Sequence, residues 1–269
     1  MSRTYTNEAF PKAPGQFWGG NDDVYNTHTL HKGDCLDILP RLDPASVDLV
    51  LTDLPYGTTR CPWDSVIPLH HMWAELKRVG KPGCAFVFTA QQPFTWALAA
   101  SNPRDLRYEL VWEKPNGTNP FNAKRQPMKK HENVLVFCER QTIYNPQMEE
   151  GTPYRWNSKR SKGVAGGNNK LADQPLDNPG VRYPGSVLRF RQERGLHPTQ
   201  KPVALMEWLI RTYSDPGDRV LDITMGSGTT GVAALRSGRS FVGIERDGGY
   251  FDIASQHLAR FDYGEAANS

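Results

Sequence analysis

Long apolar runs, paired cysteines and clustered metal ligands are all missing from this 269-residue sequence. The four cysteines, Cys35, Cys61, Cys84 and Cys138, are scattered and form no CxxC pair. That argues against a disulfide framework and against a zinc site. His70-His71 has no companion ligands at helical spacing, and His131-Glu132 lacks the second histidine of an HExxH helix, so no metal is expected. No stretch approaches the roughly 20 apolar residues of a membrane-spanning helix. The first fifteen residues hold no continuous apolar region of the kind a secretory signal needs. A cytoplasmic protein without a membrane partner is expected.

The chain does have enough large apolar area for a core, with aromatics at 10% and 7 tryptophans. Its 32 Lys+Arg against 29 Asp+Glu give a net charge of only +3, too mild to identify a nucleic-acid partner. The distribution says more. Lys114, Lys124, Arg125, Lys129 and Lys130 fall in a stretch without one acidic residue. Arg155, Lys159, Arg160, Lys162 and Lys170 fall in another. A solvated basic surface explains both as readily as a ligand does.

Residues 1–26, with Pro11, Pro14 and a glycine cluster, read as an irregular arm. Short apolar runs then alternate with helical patterns. VDLVLTD (47–53), CAFVFTA (84–90), YELVWEK (108–114) and NVLVFCER (133–140) read as strands. PLHHMWAELKRV (68–79) places Leu69, Met72, Trp73, Leu76 and Val79 on one helical face. The rhythm fails over 144–196, which is rich in Gly, Asn, Pro and Arg, and resumes with a helix over Pro202–Tyr213. Such alternation implies an α/β fold, a mostly parallel twisted sheet with helices on both faces. The expected organisation is one α/β domain over 27–143 and 197–263, interrupted by a basic insertion at 144–196.

Two motifs carry chemistry. In RVLDITMGSGTTGVAALRSGRSFVGIER a strand ends at Asp222, a tight loop carries Gly226, Ser227 and Gly228, and the next strand ends at Glu245. Glycines let the backbone approach a ligand, and a carboxylate after the following strand can hold a ribose diol. Gly226 to Gly231 also satisfies GxGxxG, so a nicotinamide oxidoreductase must be weighed. Only 24 residues follow Glu245, short of a second mononucleotide half, which favours a shorter nucleoside ligand such as S-adenosylmethionine. The second motif, Asp53-Leu54-Pro55-Tyr56, directly follows VDLVLT. Alone it is as well explained by a strand-ending turn. Asp53 and Asp222 at strand ends would nevertheless face one crevice.

Taken together, DLPYG, VLDITMGSGTT, FVGIE and HPTQKP resemble the amino-methylating DNA methyltransferases that use S-adenosylmethionine. The order of the motifs is similar to that of the family's beta group, over roughly residues 28–262. The resemblance implies a Rossmann-like methyltransferase fold and a base rotated out of double-stranded DNA. It further implies that the Asp53 carboxylate and the Leu54 carbonyl accept from the target amine, that Pro55 stiffens the turn, and that Tyr56 stacks on the base.

By the same resemblance Asp222, Gly226, Ser227, Gly228, Thr229 and Thr230 surround the methionine part of the cofactor. Glu245 takes the ribose, Asp34 and Cys35 border the adenine, and His197, Thr199 and Lys201 close over the methionine end. A helix start with Pro202 in its first turn also explains HPTQKP without any ligand. In this setting Lys124, Arg125, Lys129, Lys130, Arg155, Lys159 and Arg160 become candidates for DNA contact.

Two departures stand out. Leu54 replaces the family's usual proline, and Ile223-Thr224 replaces a Pro-Phe pair after Asp222. The aspartate that opens the tetrapeptide favours adenine N6 over cytosine N4, where serine is more usual in the family. The resemblance adds homodimerisation and a phage or restriction–modification setting as expectations. A catalytically silent DNA-binding protein on the same scaffold stays as an alternative, which turnover would exclude.

Overall fold

The computed structural model describes residues 27–57, 64–118, 120–156, 176–193 and 200–262. The chain forms two compact units, the smaller being Pro146–Gly185. In the larger unit β1 (His28–Lys32) leads into the short helix α1 (Cys35–Ile38), capped by Asp34, which accepts from the Leu36 N–H at 2.9 Å. Then come β2 (Val47–Asp53), α2 (Leu69–Val79), β3 (Gly80–Ala90), α3 (Phe94–Ser101), β4 (Leu106–Thr118) and β5 (Lys129–Phe137). The smaller unit holds two short antiparallel pairs. β6 (Glu149–Glu150) pairs with β9 (Val181–Arg182), and β7 (Tyr154–Trp156) with β8 (Leu176–Asn178). The larger unit resumes with β10 (Val187–Arg189), α4 (Val203–Tyr213), β11 (Arg219–Asp222), α5 (Thr229–Arg236), β12 (Ser240–Glu245) and α6 (Gly248–Asp262).

Eight strands form one sheet in the order β1-β12-β11-β2-β3-β5-β4-β10. Its left part, through β3, is parallel, while β5 runs antiparallel to both β3 and β4. β10 pairs with β4, so part of the stretch that reads as irregular supplies a strand to this sheet.

The sheet is covered on both faces because its central strands are apolar in both directions. On β2, Leu49 and Leu51 join a core with Leu209 of α4, Ala233 of α5 and Leu258 of α6. Val50 faces the opposite core, which holds Ile38 of α1, Met72, Trp73 and Leu76 of α2, and Leu98 of α3. Trp73 meets Phe86, Phe88 and Phe137 edge-on, which makes it a core residue. Cys35, Cys84 and Cys138 are buried free thiols.

Two differences from the sequence reading matter for the site. β5 starts at Lys129 rather than near Asn133, and β4 runs on to Thr118. The apolar pattern marks only the half of this hairpin that lies inside the sheet. The chain also changes direction between β2 and β11. From β2 it proceeds to β3 on one side, and from β11 to β12 on the other. In open α/β sheets the crevice at such a reversal is where ligands bind. Asp53, Asp222 and Glu245 are the last residues of β2, β11 and β12, so all three stand at that edge.

Candidate active site

Asp53 accepts three side-chain hydrogen bonds at this edge. Its Oδ1 accepts from the Tyr56 hydroxyl at 2.6 Å and from the hydroxyl of Thr89, its register partner on β3. Its Oδ2 accepts from the Lys201 ammonium at 2.5 Å. A carboxylate offers about four acceptor positions, so three donors leave about one. The Leu54 side chain is buried in the core, which fixes the turn and turns the departure from proline into a packing contact. Tyr56 stacks on Phe94 with ring centroids 5.5 Å apart. Burial, then the charges of Asp53 and Glu132, push the Tyr56 phenol well above its ordinary range, so it stays a neutral donor.

Lys201 reaches past Asp53 to a second carboxylate. Its Nζ lies 3.4 Å from Glu132 Oε2, while Lys114 bonds the other oxygen of Glu132. The result is a buried row, Asp53–Lys201–Glu132–Lys114, with two negative and two positive charges. Burial raises the Glu132 carboxyl, but Lys201 and Lys114 outweigh it and hold it below the usual range. Burial also opposes the charge on Lys201, and Asp53 and Glu132 reverse that and raise it. Sequence reasoning missed Thr89, Glu132 and the inward course of Lys114, which is 6% exposed and does not belong to the solvated basic surface. One signal was present. Glu132 directly precedes the buried run NVLVF, and the register Trp112↔Glu132 makes Lys114 its diagonal neighbour across the hairpin.

A second polar row runs behind the Asp53–Tyr56 turn. Thr224 Oγ1 donates to the Asp53 carbonyl at 3.0 Å, Thr52 Oγ1 lies 2.8 Å from Thr224 Oγ1, and Thr52 lies 2.6 Å from Asp222 Oδ1. Thr52 and the Thr224 N–H both donate to Asp222 Oδ1, so this row ties the Asp53 turn to the end of β11. Burial pushes the Asp222 carboxyl up to about 6, against the pull of Thr230, Thr52 and the Thr224 N–H.

The loop after β11 turns through Gly226 (φ 53°) and Gly228 (φ 83°), both left-handed. A Cβ on Gly228 would lie 3.1 Å from the Ala254 methyl, so the loop needs glycine there for conformation and for space. Glu245 Oε2 accepts from the Gly226 N–H at 2.9 Å and Oε1 from the Asp247 N–H at 2.8 Å, leaving acceptor positions on both oxygens.

One cavity collects most of the residues singled out in the sequence. Asp34, Cys35, Asp53, Leu54, Pro55, Tyr56, Lys201, Asp222, Gly226, Ser227, Thr229, Thr230 and Glu245 line it together. Burial, then the charge of Asp34, pushes the Cys35 thiol to about 12, so it lines the wall as a neutral group. His197, Thr199, Lys159 and Arg160 lie outside the described residues. Lys124, Arg125, Lys129 and Lys130 are exposed on the turn and the free end of the β4–β5 hairpin. Arg155 belongs to the smaller unit, 3.4 Å from Asp177 on the paired strand.

Comparison with known proteins agrees with this layout. Residues 47–256 match a family model described as DNA methylase, of the N6/N4 methyltransferase type. The chain is 28% identical over 249 residues to the type II methyltransferase M1.MboII of Moraxella bovis, covering 84% of this chain and 94% of that protein. It is 30% identical over 255 residues to the DNA adenine methyltransferase YhdJ of Escherichia coli K12, covering 86% and 82% respectively. The solved M1.HpyAVI–SAM complex shares the fold with a TM-score of 0.59 at 24% identity, over 86% of this chain and all of that one.

Proposed function

The chain belongs to the N6/N4 DNA methylase family, and from that premise we propose that it methylates the N6 amino group of an adenine turned out of double-stranded DNA, with Asp53-Leu54-Pro55-Tyr56 as the catalytic turn. The nicotinamide reading of the GxGxxG loop falls with the family assignment. Adenine rather than cytosine is supported by the name of the 30%-identical relative and by the aspartate that opens the tetrapeptide.

The cofactor is S-adenosylmethionine, which when bound supplies a methyl group on a sulfonium centre. The residues fit that group. Asp34, Asp222 and Glu245 line the cavity with carboxylates, suited to cationic sulfonium and ammonium groups, and the two left-handed glycines keep the loop clear of side chains. Glu245, with acceptor positions remaining, would take the ribose hydroxyls, and Asp34 and Cys35 the adenine edge. Asp222 and the 226–230 loop would border the methionine portion.

An exocyclic amine is a poor nucleophile because its lone pair is delocalised into the ring. The remaining acceptor position on Asp53 takes one N–H and the Leu54 carbonyl takes the other, which draws the nitrogen toward tetrahedral geometry. A hydrogen bond to a charged acceptor contributes roughly 1.5–3 kcal/mol. Tyr56, held by Phe94 and by its bond to Asp53, offers its ring to the base, worth about 1–3 kcal/mol by analogy with single-strand stacking. Lys201 pairs with Asp53 Oδ2 and holds the carboxylate aimed, which differs from a contact with the methionine end. After transfer, the amine proton leaves along the hydrogen bond to Asp53.

The single observation that carries this reading is the placement of Asp53, with one acceptor position left, in the lining of the cavity that Glu245 and the glycine loop also line. The smaller unit, Pro146–Gly185, serves in this reading as the target-recognition insertion, with Arg155 among its DNA contacts. A cytoplasmic location and a second copy of the chain as partner belong to the same reading, carried by the family resemblance. Among the described residues no helix is long and apolar enough to cross a membrane. The test is incubation of unmethylated DNA with labelled cofactor, followed by nucleoside mass analysis. N6-methyladenine is expected. N4-methylcytosine would overturn the base assignment, and no methylated nucleoside would overturn the reaction.

A further inference from the structure

The β4–β5 hairpin extends beyond the rest of the sheet on the side of the crevice. Asp53 is level with Thr89 on β3, and Thr89 with Val134 on β5. β5 runs antiparallel, so its residues before Val134 continue past the carboxyl edge where Asp53 stands. From Val134 back to Lys129 is five residues, about 16 Å of strand at roughly 3.3 Å per residue. The hairpin therefore projects past the edge where Asp53 stands, and Glu132, on this projecting part, ion-pairs with Lys201 next to Asp53.

The tip of that projection has an unusual composition. Phe121, in the 3-10 turn Pro120–Asn122, is 98% exposed and has no packing partner among the described residues. Around it Lys124, Arg125 and Lys129 are exposed with no acidic partner among the described residues, and Lys130 lies 4.0 Å from Glu113. Between Lys114 and Lys130 the sequence has no Asp or Glu at all. An exposed aromatic ring in the same turn as several exposed cations, at the end of a hairpin that extends past the Asp53 edge, matches a base stack flanked by phosphates.

We propose that Phe121 is a wedge that enters the base stack of the bound duplex beside the target base, while Lys124, Arg125 and Lys129 hold the flanking phosphates. The inference rests on DNA being the substrate. Its chemistry is separate from that of the catalytic turn. Phe121 touches no reacting atom, and its work is to lower the cost of opening the duplex, a cost that is least for a base already mispaired.

The test compares Phe121→Ala with the parent on two duplexes of one sequence, located first by mapping methylated bases in parent-treated genomic DNA. One duplex is fully paired and the other carries a mismatch opposite the target base. The expected result is a loss of about tenfold or more on the paired duplex, the scale of one base–aromatic stack, with most of the rate restored on the mismatched one. Thermal stability and cofactor binding stay at the parent's level, because the side chain contributes no packing. The double variant Lys124→Ala/Arg125→Ala should instead weaken binding to both duplexes and lower the slope of log affinity against log salt by about 2, at roughly 0.9 per phosphate contact. Equal rates for Phe121→Ala and the parent on paired DNA, or an equal loss on both duplexes, would overturn the wedge. A parent that methylates no DNA would overturn the functional reading beneath it, which separates the two failures.

Discussion

Lys201 Nζ lies 2.5 Å from Asp53 Oδ2 and is 5% exposed, a buried cation placed directly on the carboxylate that opens the Asp53–Tyr56 turn. Removing one member of such a pair leaves the other charge uncompensated in a low-dielectric site, which costs more than the pair contributes. Lys201→Met should lower kcat about 10²-fold, the scale of losing one aimed electrostatic partner. The affinity for S-adenosylmethionine, read by calorimetry, should change little. A large loss of cofactor affinity with kcat retained would place Lys201 at the methionine end instead.

Glu132 acts one step further back, as a positioning residue. Its folded carboxyl is held below the ordinary range by Lys201 and Lys114 against the opposing effect of burial. A depressed acid contributes stability that is present above its unfolded pKa and lost as pH falls through the folded one. Glu132→Gln should therefore lower the melting temperature at neutral pH, and the gap from the parent should close in acid, below about pH 4. A gap independent of pH would show that the buried row is not ionic.

Asp222 has the opposite sign. Burial raises it from 3.8 to about 6, so the folded state binds the extra proton between those values, and that stability is lost as pH rises through 6. Two units correspond to about 3 kcal/mol at 1.36 kcal/mol per unit. The pH dependence of unfolding free energy, measured for the parent and for Asp222→Asn, should differ by about that amount between pH 4 and 7. Parallel curves would mean that Asp222 does not titrate in this window.

In the proposed reaction Tyr56 has two functions that substitution can separate. Tyr56→Phe removes the hydroxyl that donates to Asp53 at 2.6 Å but keeps the ring on Phe94. It should reduce kcat severalfold, as for one hydrogen bond of about 1 kcal/mol. Tyr56→Ala removes the base platform as well, and should cost a further factor of about 10 or more. Equal losses in the two variants would argue against stacking.

How much of this was legible beforehand depends on where the signal was stored. Strand-end carboxylates such as Asp53, Asp222 and Glu245 were readable because apolar runs mark strands and the residue that closes each run sits at one edge of a parallel sheet. Glycines 226 and 228 marked a tight loop open to a ligand, and their left-handed φ of 53° and 83° is why glycine is needed there. Lys114 was misplaced for the converse reason. A lysine in a basic stretch looks solvated, and only the hairpin register, with Glu132 diagonal to it, shows that it points inward. Thr89 and Thr52 carried no sequence signal, because a threonine inside a strand is ordinary and its partner lies on another strand. β10 was hidden by its length of three residues.

The central claim is that Asp53 holds the amine that is methylated. Single-turnover methyl transfer by Asp53→Ala on parent-validated DNA, with cofactor binding and melting measured on the same sample, tests it most directly. The account predicts intact cofactor binding and a chemical step slowed by about 10³-fold or more, as when an aimed electrostatic group is lost from an active site. An Asp53→Ala enzyme that forms N6-methyladenine at the parent's single-turnover rate would contradict it.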